Sequence, residues 1–142
     1  MTLEKILPAT FPAGSSFHHI GYATTCVASD RVFFEQLGYV QEGPDFTDSK
    51  QGVLGFFMQG PGPRIELLEN LPDRHTLTPW LTAGIKIYHF AYQVTNLDKA
   101  VDWARSQRGK MTVSPVPAAA FEGRRICFFA FRKGPMLEFI EM

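Results

Sequence analysis

Two histidines and two glutamates recur at matched positions in the two halves of the sequence. The segment HIGY begins at His19 and corresponds to HFAY, which begins at His89. The segment RIELLE contains Glu66 and corresponds to MLEFIE, which contains Glu138. A lone strand histidine is usually structural, and a lone strand glutamate usually faces solvent. A duplicated fold must repeat its core pattern but need not repeat four polar residues, so we interpret them as one functional set.

The two glutamates predict a bound cation. Each lies in the middle of an apolar segment, where burying a carboxylate without a partner is strongly unfavourable. If the matched strands meet on the axis that relates the two halves, His19, Glu66, His89 and Glu138 surround one ion. Nitrogen and oxygen donors together suit one divalent metal ion, Zn, Ni, Co, Mn or Fe(II), better than Ca.

Strand alternation predicts which neighbours share the face of these donors. His18 is matched with Tyr88 and is predicted on the opposite face, which packs beneath a helix. Gly21 and Ala91 follow the two histidines on their own face and are predicted to leave open volume in front of each imidazole. Glu69 and Glu141, an odd number of residues beyond the predicted ligands, are expected to face solvent.

The matched residues lie in the same predicted order of elements, β-α-β-β-β, in each half. In the first half, a strand at 17–24 precedes a helix capped by Ser29 or Asp30, and residues 42–51 read as a polar loop. In the second half, Asn96 or Thr95 caps the helix. The sequence predicts an α+β fold of two tandem βαβββ modules, residues 16–70 and 86–142, within one domain at 16–142. A linker at 71–85 joins them, and an arm at 1–15 precedes them.

Composition excludes several classes of function. The 142 residues suit one domain. Lys plus Arg and Asp plus Glu number 14 each, so no net charge attracts nucleic acid or an anionic membrane. No apolar run approaches the roughly 18–20 residues of a membrane span. Cys26 and Cys127 match no zinc or redox spacing and read as buried small apolar residues of a reduced, cytoplasmic protein.

The order and spacing of HHIGYAT, RIELLE, YHFAYQV and MLEFIE resemble the vicinal oxygen chelate superfamily, in particular its glyoxalase I and methylmalonyl-CoA epimerase branch. The resemblance covers residues 17–142. It implies a curled, mostly antiparallel sheet around a metal cavity, with metal ligands at His19, Glu66, His89 and Glu138. It also implies a small-molecule substrate and a homodimer, with the site within one chain or shared between two.

The resemblance further implies a metal-dependent isomerase or lyase that removes a proton next to a carbonyl. In such enzymes the metal acts as a Lewis acid that stabilises an enediolate, and a carboxylate moves the proton. Glu138 is the first choice for this base and Glu66 the second. The alternative is a binding or sequestering protein of the same fold that traps an aromatic ligand in a Phe-rich cavity flanked by Trp80.

The sequence departs from the epimerase pattern before the third strand. Epimerases carry a glutamate just before the Gln-Gly pair, whereas this chain has Ser49 and Lys50 there, and Asp48 lies slightly too early. The departure argues against a two-base epimerisation of methylmalonyl-CoA. Arg64 shares the predicted face of Glu66, where it either meets an anionic substrate or is a solvated surface residue.

Overall fold

The computed structural model describes residues 10–142, so residues 1–9 of the predicted N-terminal arm lie outside the described part. The elements are β1 Ser16–Ala23, α1 Val27–Gln36, β2 Val40–Asp48, β3 Val53–Gln59, β4 Ile65–Asn70, α2 Thr78–Ala83, β5 Ile87–Val94, α3 Leu97–Ser106, β6 Lys110–Pro117, β7 Arg125–Ala130 and β8 Met136–Glu141. A short 3-10 turn, Ala119–Phe121, follows β6.

The eight strands form one curled sheet in the order β2-β3-β4-β1-β5-β8-β7-β6. We call β1 to β4 with α1 module 1, and β5 to β8 with α3 module 2. Within each module the first strand pairs in parallel with the last, and every other pairing is antiparallel. The first strands of the two modules, β1 and β5, pair at the centre of the sheet. The predicted α+β fold of two βαβββ modules is confirmed.

One face of the sheet is covered by the two long helices. In module 1, Ile20 and Tyr22 of β1 pack with Phe34 of α1. In module 2, Tyr92 of β5 packs against the buried face of α3, which Ala100 and Ala104 form. The predicted bulky face of each first strand is therefore the helix-covered face, and the donor residues lie on the other one.

The helix ends agree with the sequence prediction in module 2 and not in module 1. The side chain of Asn96 accepts a hydrogen bond from the amide of Lys99 and caps α3, as predicted. The prediction that Ser29 or Asp30 caps α1 is wrong, because α1 already begins at Val27. The amide of Val27 donates to Glu69 Oε1 at 2.9 Å, so Glu69 binds a helix end instead of facing solvent.

The polar segment predicted as a loop at 42–51 is mostly strand. β2 runs to Asp48 and, among the strands of residues 10–142, pairs only with β3, with its register interrupted between Glu42 and Phe46. Pro44 lies in this interruption, and a proline is tolerated at a bulge of an edge strand because no ladder hydrogen bond is lost there. An edge strand needs no continuous apolar pattern, which is why its composition resembled a loop.

Two further findings concern the cysteines and the helices. Cys127 is buried as predicted, but Cys26 is exposed, because it stands just before α1 and not in the core. Among residues 10–142, no helix is both long enough and apolar enough to cross a membrane.

Candidate metal centre

The register of the four central strands brings the predicted ligands together in two cross-strand rows. In one row, Gly21 of β1 lies opposite Glu66 of β4 on one side and His89 of β5 on the other. In the second row, Ala91 of β5 lies between His19 and Glu138. Each row thus holds one glutamate, one small residue and one histidine, so the central pairing of β1 with β5 assembles the set from both modules.

The small residue of the first row is required by the imidazole beside it. A Cβ added at Gly21 would lie 2.0 Å from Cε1 of His89, far inside van der Waals contact. The volume that the sequence predicted in front of His19 is thus occupied by the histidine of the other module. A small residue does lie beside each histidine, as predicted. At Gly21 it is required because a side chain of the neighbouring strand approaches closely, and not because the site is empty there.

The four side chains converge on one point in the interior. His19 and His89 are fully buried, and Glu66 and Glu138 are almost so. Nε2 of His19 lies 3.1 Å from Nε2 of His89, 3.1 Å from Glu66 Oε1 and 3.3 Å from Glu138 Oε1. Nε2 of His89 lies 3.6 Å and 3.2 Å from the same two carboxylate oxygens. One donor atom from each residue lies within 4.8 Å of all the others.

These distances fit the donors of one divalent ion. Ions such as Zn bind nitrogen and oxygen at about 2.0–2.2 Å, which places neighbouring donors about 3–3.5 Å apart. Glu138 Oε1 is buried without a hydrogen bond of good geometry from any residue in 10–142. An unsatisfied buried carboxylate oxygen beside three further donors is the arrangement that a cation stabilises. The residues present therefore fit the predicted metal.

The charges of the cluster are strongly coupled. Burial lowers the pKa of His19, but the two glutamates outweigh burial and raise this pKa to about 9. Burial also opposes charge on His89, and the same glutamates raise its pKa. Burial raises the pKa of Glu66 and of Glu138, and the histidines outweigh it and lower both. A metal ion must displace protons from the imidazoles before it binds.

The prediction that His18 lies on the helix-covered face is wrong, because β1 bulges there. His18 is unpaired in the register between Phe17 and His19, and Tyr88 is the corresponding extra residue of β5. The bulge brings Nδ1 of His18 to 2.8 Å from Nδ1 of His19. Burial, with the charge of His19, lowers the pKa of His18 to about 4. The neutral ring therefore stands directly behind one of the four donors.

A cavity of about 730 Å³ opens onto the cluster from one side. Glu66, His89 and Glu138 line it, whereas His19 is not among its described lining residues. Its walls carry aromatic side chains, namely Phe46, Trp80, Tyr88, Phe121 and Phe128. The volume is within the range of cavities that enclose small organic ligands. A ligand entering here meets the two carboxylates and one imidazole first.

Asp48 and Arg64 have structural partners that sequence reasoning missed. Asp48 lines the cavity, and its carboxylate accepts hydrogen bonds from the amide and side chain of Gln51 and from the amide of Ala119 at 3.0 Å. Burial raises its pKa, but these donors outweigh burial and lower it. Arg64 is not a free surface residue, since it pairs with Glu42 and donates to the carbonyl of His18, and it is not among the residues that line the cavity.

Comparison with known proteins identifies the family. The model of the Glyoxalase/Bleomycin resistance protein/Dioxygenase superfamily matches residues 18–128, and the chain belongs to this superfamily. No curated protein matches the sequence.

Several solved structures share the fold. A hypothetical protein from Bacillus halodurans C-125 is 26% identical, with a TM-score of 0.77 over 91% of this chain and 95% of that one. The methylmalonyl-CoA epimerase from Mycobacterium tuberculosis is 20% identical, with a TM-score of 0.74 over 96% and 92%. A variant of the Streptomyces coelicolor methylmalonyl-CoA epimerase in complex with 2-nitronate-propionyl-CoA is 18% identical, with a TM-score of 0.69 over 89% and 93%.

Proposed function

We propose that the protein is a metal-dependent isomerase or lyase of the glyoxalase or methylmalonyl-CoA epimerase type. It abstracts a proton next to a carbonyl of a small oxygenated substrate, with thioesters and thiol adducts as the first candidates. The single observation that carries this proposal is the buried cluster of His19, Glu66, His89 and Glu138, which opens onto a ligand-sized cavity. A purely structural set of four polar residues has no need of such an opening.

The four residues of the cluster hold the metal in this proposal. When bound, a divalent ion supplies Lewis-acid stabilisation to negative charge that develops on the substrate oxygens. The aromatic walls of the cavity exclude water from the reacting carbon. The substrate approaches from the side of Glu66, His89 and Glu138, because the cavity opens there.

Glu138 is the proposed general base and Glu66 the second choice. Glu138 lines the cavity by which the substrate enters, and its Oε1 receives no hydrogen bond of good geometry within residues 10–142, so its contacts with the two imidazoles and with the metal are the ones it must loosen to meet a substrate proton. Asp48 is not a second base, because three hydrogen bonds hold its carboxylate and lower its pKa. For Asp48 to remove and return a proton, its carboxylate would have to give up those hydrogen bonds.

Exchange of a carbon-bound proton in heavy water tests the proposal directly. The metal-loaded protein is incubated with candidate acyl-CoAs and with adducts of 2-oxoaldehydes and thiols, and proton NMR follows the loss of the signal next to the carbonyl. The variant Glu138→Gln is expected to lose exchange, whereas the matched control Glu141→Gln, on the same strand but paired with Arg125, retains it. Exchange that survives Glu138→Gln would remove the assigned base.

The second candidate function is binding without catalysis. The aromatic walls of the cavity favour it, because they would also enclose an apolar ligand in the absence of any reaction. Metal content separates the two functions. A purified protein that holds no divalent metal and whose melting temperature does not respond to Ni, Co, Zn or Mn supports sequestration and contradicts the enzyme.

We also propose that residues 16–142 act as one functional unit in a cytoplasmic homodimer. Both modules supply donors, so neither alone completes the site. Val32, Phe33 and Leu37 expose more than half of their surface along α1 and the turn after it, which is unusual for an unpartnered helix. Both cysteines are free, which suits a reducing compartment. In a sedimentation experiment we expect the parent protein to be a dimer and the variant Phe33→Glu to be a monomer.

A further inference from the structure

The side chain of Tyr88 has a polar group that the fold leaves unused. Only 7% of Tyr88 is exposed, its ring lies 4.9 Å from that of Trp80 and 4.5 Å from that of His89, and the residue lines the cavity. No residue within 10–142 forms a hydrogen bond with its hydroxyl, and this atom is not among the fully buried polar atoms that lack a partner, so it opens to the cavity. A tyrosine hydroxyl can both donate and accept, and one that no protein group binds is free to bind a ligand. At the wall of a ligand-sized cavity, the Tyr88 hydroxyl is therefore available to whatever enters.

We infer that the Tyr88 hydroxyl donates a hydrogen bond to an oxygen of the bound substrate. The bulge in β5 is what makes this possible, because it turns Tyr88 from the helix-covered face to the cavity. The ring is already fixed by Trp80 and His89, so the hydroxyl is held in place before the substrate arrives. This role rests on the proposed function, since it assumes a substrate with oxygens at the metal centre.

The test compares Tyr88→Phe with Tyr92→Phe, a matched loss of one hydroxyl on the same strand. Tyr92 packs against Phe11 and Phe17, away from the cavity. Each variant is loaded with cobalt and titrated with acetohydroxamate, which binds metals through two neighbouring oxygens, while the visible spectrum is recorded. Tyr88→Phe is expected to weaken acetohydroxamate binding about tenfold, and Tyr92→Phe to leave it unchanged.

Two failures of this experiment have different meanings. If the parent protein takes up cobalt and Tyr88→Phe binds acetohydroxamate as tightly as the parent, the role of Tyr88 is wrong and the metal centre stands. If the parent protein takes up no cobalt, the proposed function and the role of Tyr88 are both wrong.

The bulge in β1 places the side chain of His18 against that of His19. Nδ1 of His18 lies 2.8 Å from Nδ1 of His19, and Nε2 of His19 faces the cluster. A metal on Nε2 requires the proton of His19 to be on Nδ1, where it donates to His18 Nδ1. The backbone of His18 is in turn fastened by Arg64, which donates to its carbonyl at 2.9 Å. His89 has no such support, since its Nδ1 is buried without a partner within residues 10–142.

The geometry points to His18 as a positioning residue that selects the tautomer and orientation of His19. Histidine ligands usually donate to a carboxylate or a carbonyl, and here a second imidazole takes that place. This assignment predicts that His18 affects the affinity for metal more than the stability of the metal-free fold. The reason is that another aromatic ring at this position would keep the contacts that the His18 ring makes with Phe57 and Phe121.

Competition with a chelator measures this effect without any substrate. His18→Phe keeps the ring contacts but lacks an acceptor, and we expect it to weaken cobalt affinity about 10–100-fold. His18→Asn, which restores an acceptor near the position of Nδ1, is expected to recover most of that loss. The control His75→Asn changes a histidine in the exposed connection before α2 and is expected to have no effect.

Nitrogen NMR of the metal-loaded parent gives a second readout that needs no variant. His19 is expected to carry its proton on Nδ1, and His18 on Nε2. Cobalt affinity of His18→Phe within about twofold of the parent, or a proton on Nε2 of His19 in the zinc-loaded parent, would overturn the role of His18. Should His18→Phe fail to fold, the tautomer measurement alone decides.

Discussion

Module 1 and module 2 present the same two donors to the cluster but support their histidines in different ways. Behind His19 stands the imidazole of His18, at hydrogen-bond distance. Nδ1 of His89 has no hydrogen-bond partner within residues 10–142. The ring instead packs against Tyr88 and Phe128 and lies in the space left by the missing Cβ of Gly21. In the proposed metal set the four donors fit one ion together and are constrained as a set, whereas the residues behind them differ between the modules.

The glutamates beyond the cluster differ in the same way. Glu69 of module 1 accepts a hydrogen bond from the first amide of α1. Its counterpart Glu141 in module 2 pairs with Arg125 on the surface, because α3 has its own cap in Asn96. One module thus fixes its helix through the last strand, and the other through the residue before the helix. The same fold tolerates both solutions, since each satisfies the exposed amides at a helix start.

The largest expected effect comes from closing the gap at Gly21. Gly21→Ala places a Cβ against the ring of His89, so that imidazole must leave the cluster. We expect metal affinity, measured by chelator competition, to fall by at least about 100-fold. The reverse change at the pseudo-equivalent position, Ala91→Gly, leaves His19 in place and is expected to have little effect on affinity. Equal losses in the two variants would show that the modules are equivalent here.

Removing one donor from each module comes next. For the parent protein, a metal at about 100 times its Kd adds about 2.7 kcal/mol of stability, which corresponds to a rise of roughly 8 °C in Tm. Glu66→Gln and Glu138→Gln are each expected to lose most of this rise, measured by thermal unfolding with and without a chelator. A variant that keeps the whole rise has lost no ligand, and its glutamate is then outside the metal set.

The same thermal experiment gives a pH dependence. The glutamates raise the pKa of both histidines, so protons must leave before the metal binds. The metal-induced rise in Tm is therefore expected to be larger at about pH 8 than at about pH 6. A rise that is independent of pH would argue that the histidines are not ligands.

A smaller effect is expected at the contact that joins the modules. Asp48→Ala removes the acceptor for Gln51 and for the amide of Ala119, and we expect a loss of about 1–2 kcal/mol in the free energy of unfolding. Because the folded-state pKa of Asp48 is lowered, its contribution is complete above the ordinary value near 3.8 and is lost as the pH falls through the folded value. Denaturant titrations at several pH values measure both. The exposed neighbour Asp45→Ala is the control.

The smallest effect concerns the difference between the two helix starts. Glu69→Ala removes the acceptor at Val27 and is expected to cost about 1 kcal/mol in unfolding free energy. Glu141→Ala removes only an exposed ion pair, and no measurable change is expected. If Glu141→Ala destabilises the protein as much as Glu69→Ala, the surface pair contributes more than its exposure indicates.

The sequence predicted the elements whose signal is local. Strands β3 and β8 are apolar and α3 begins at a capping residue. The repeated histidines and glutamates indicated the cluster. The edge strand β2 was missed because pairing with a single neighbour leaves it polar. The side chain directions at His18 and Tyr88 could not be predicted, because a bulge depends on the register between two strands that lie about 70 residues apart. The same non-local register decides that Gly21 makes room for His89.

The distribution of the donors along the chain also has a consequence for synthesis. Of the four donors, His19 is the first to leave the ribosome and Glu138 on β8 is the last. Until β8 has left the ribosome a nascent chain can offer at most three of the four donors, and the parallel pairing of β8 with β5, which brings in Glu138, completes the set. If the four donors bind one ion as proposed, tight metal uptake therefore marks completion of the fold.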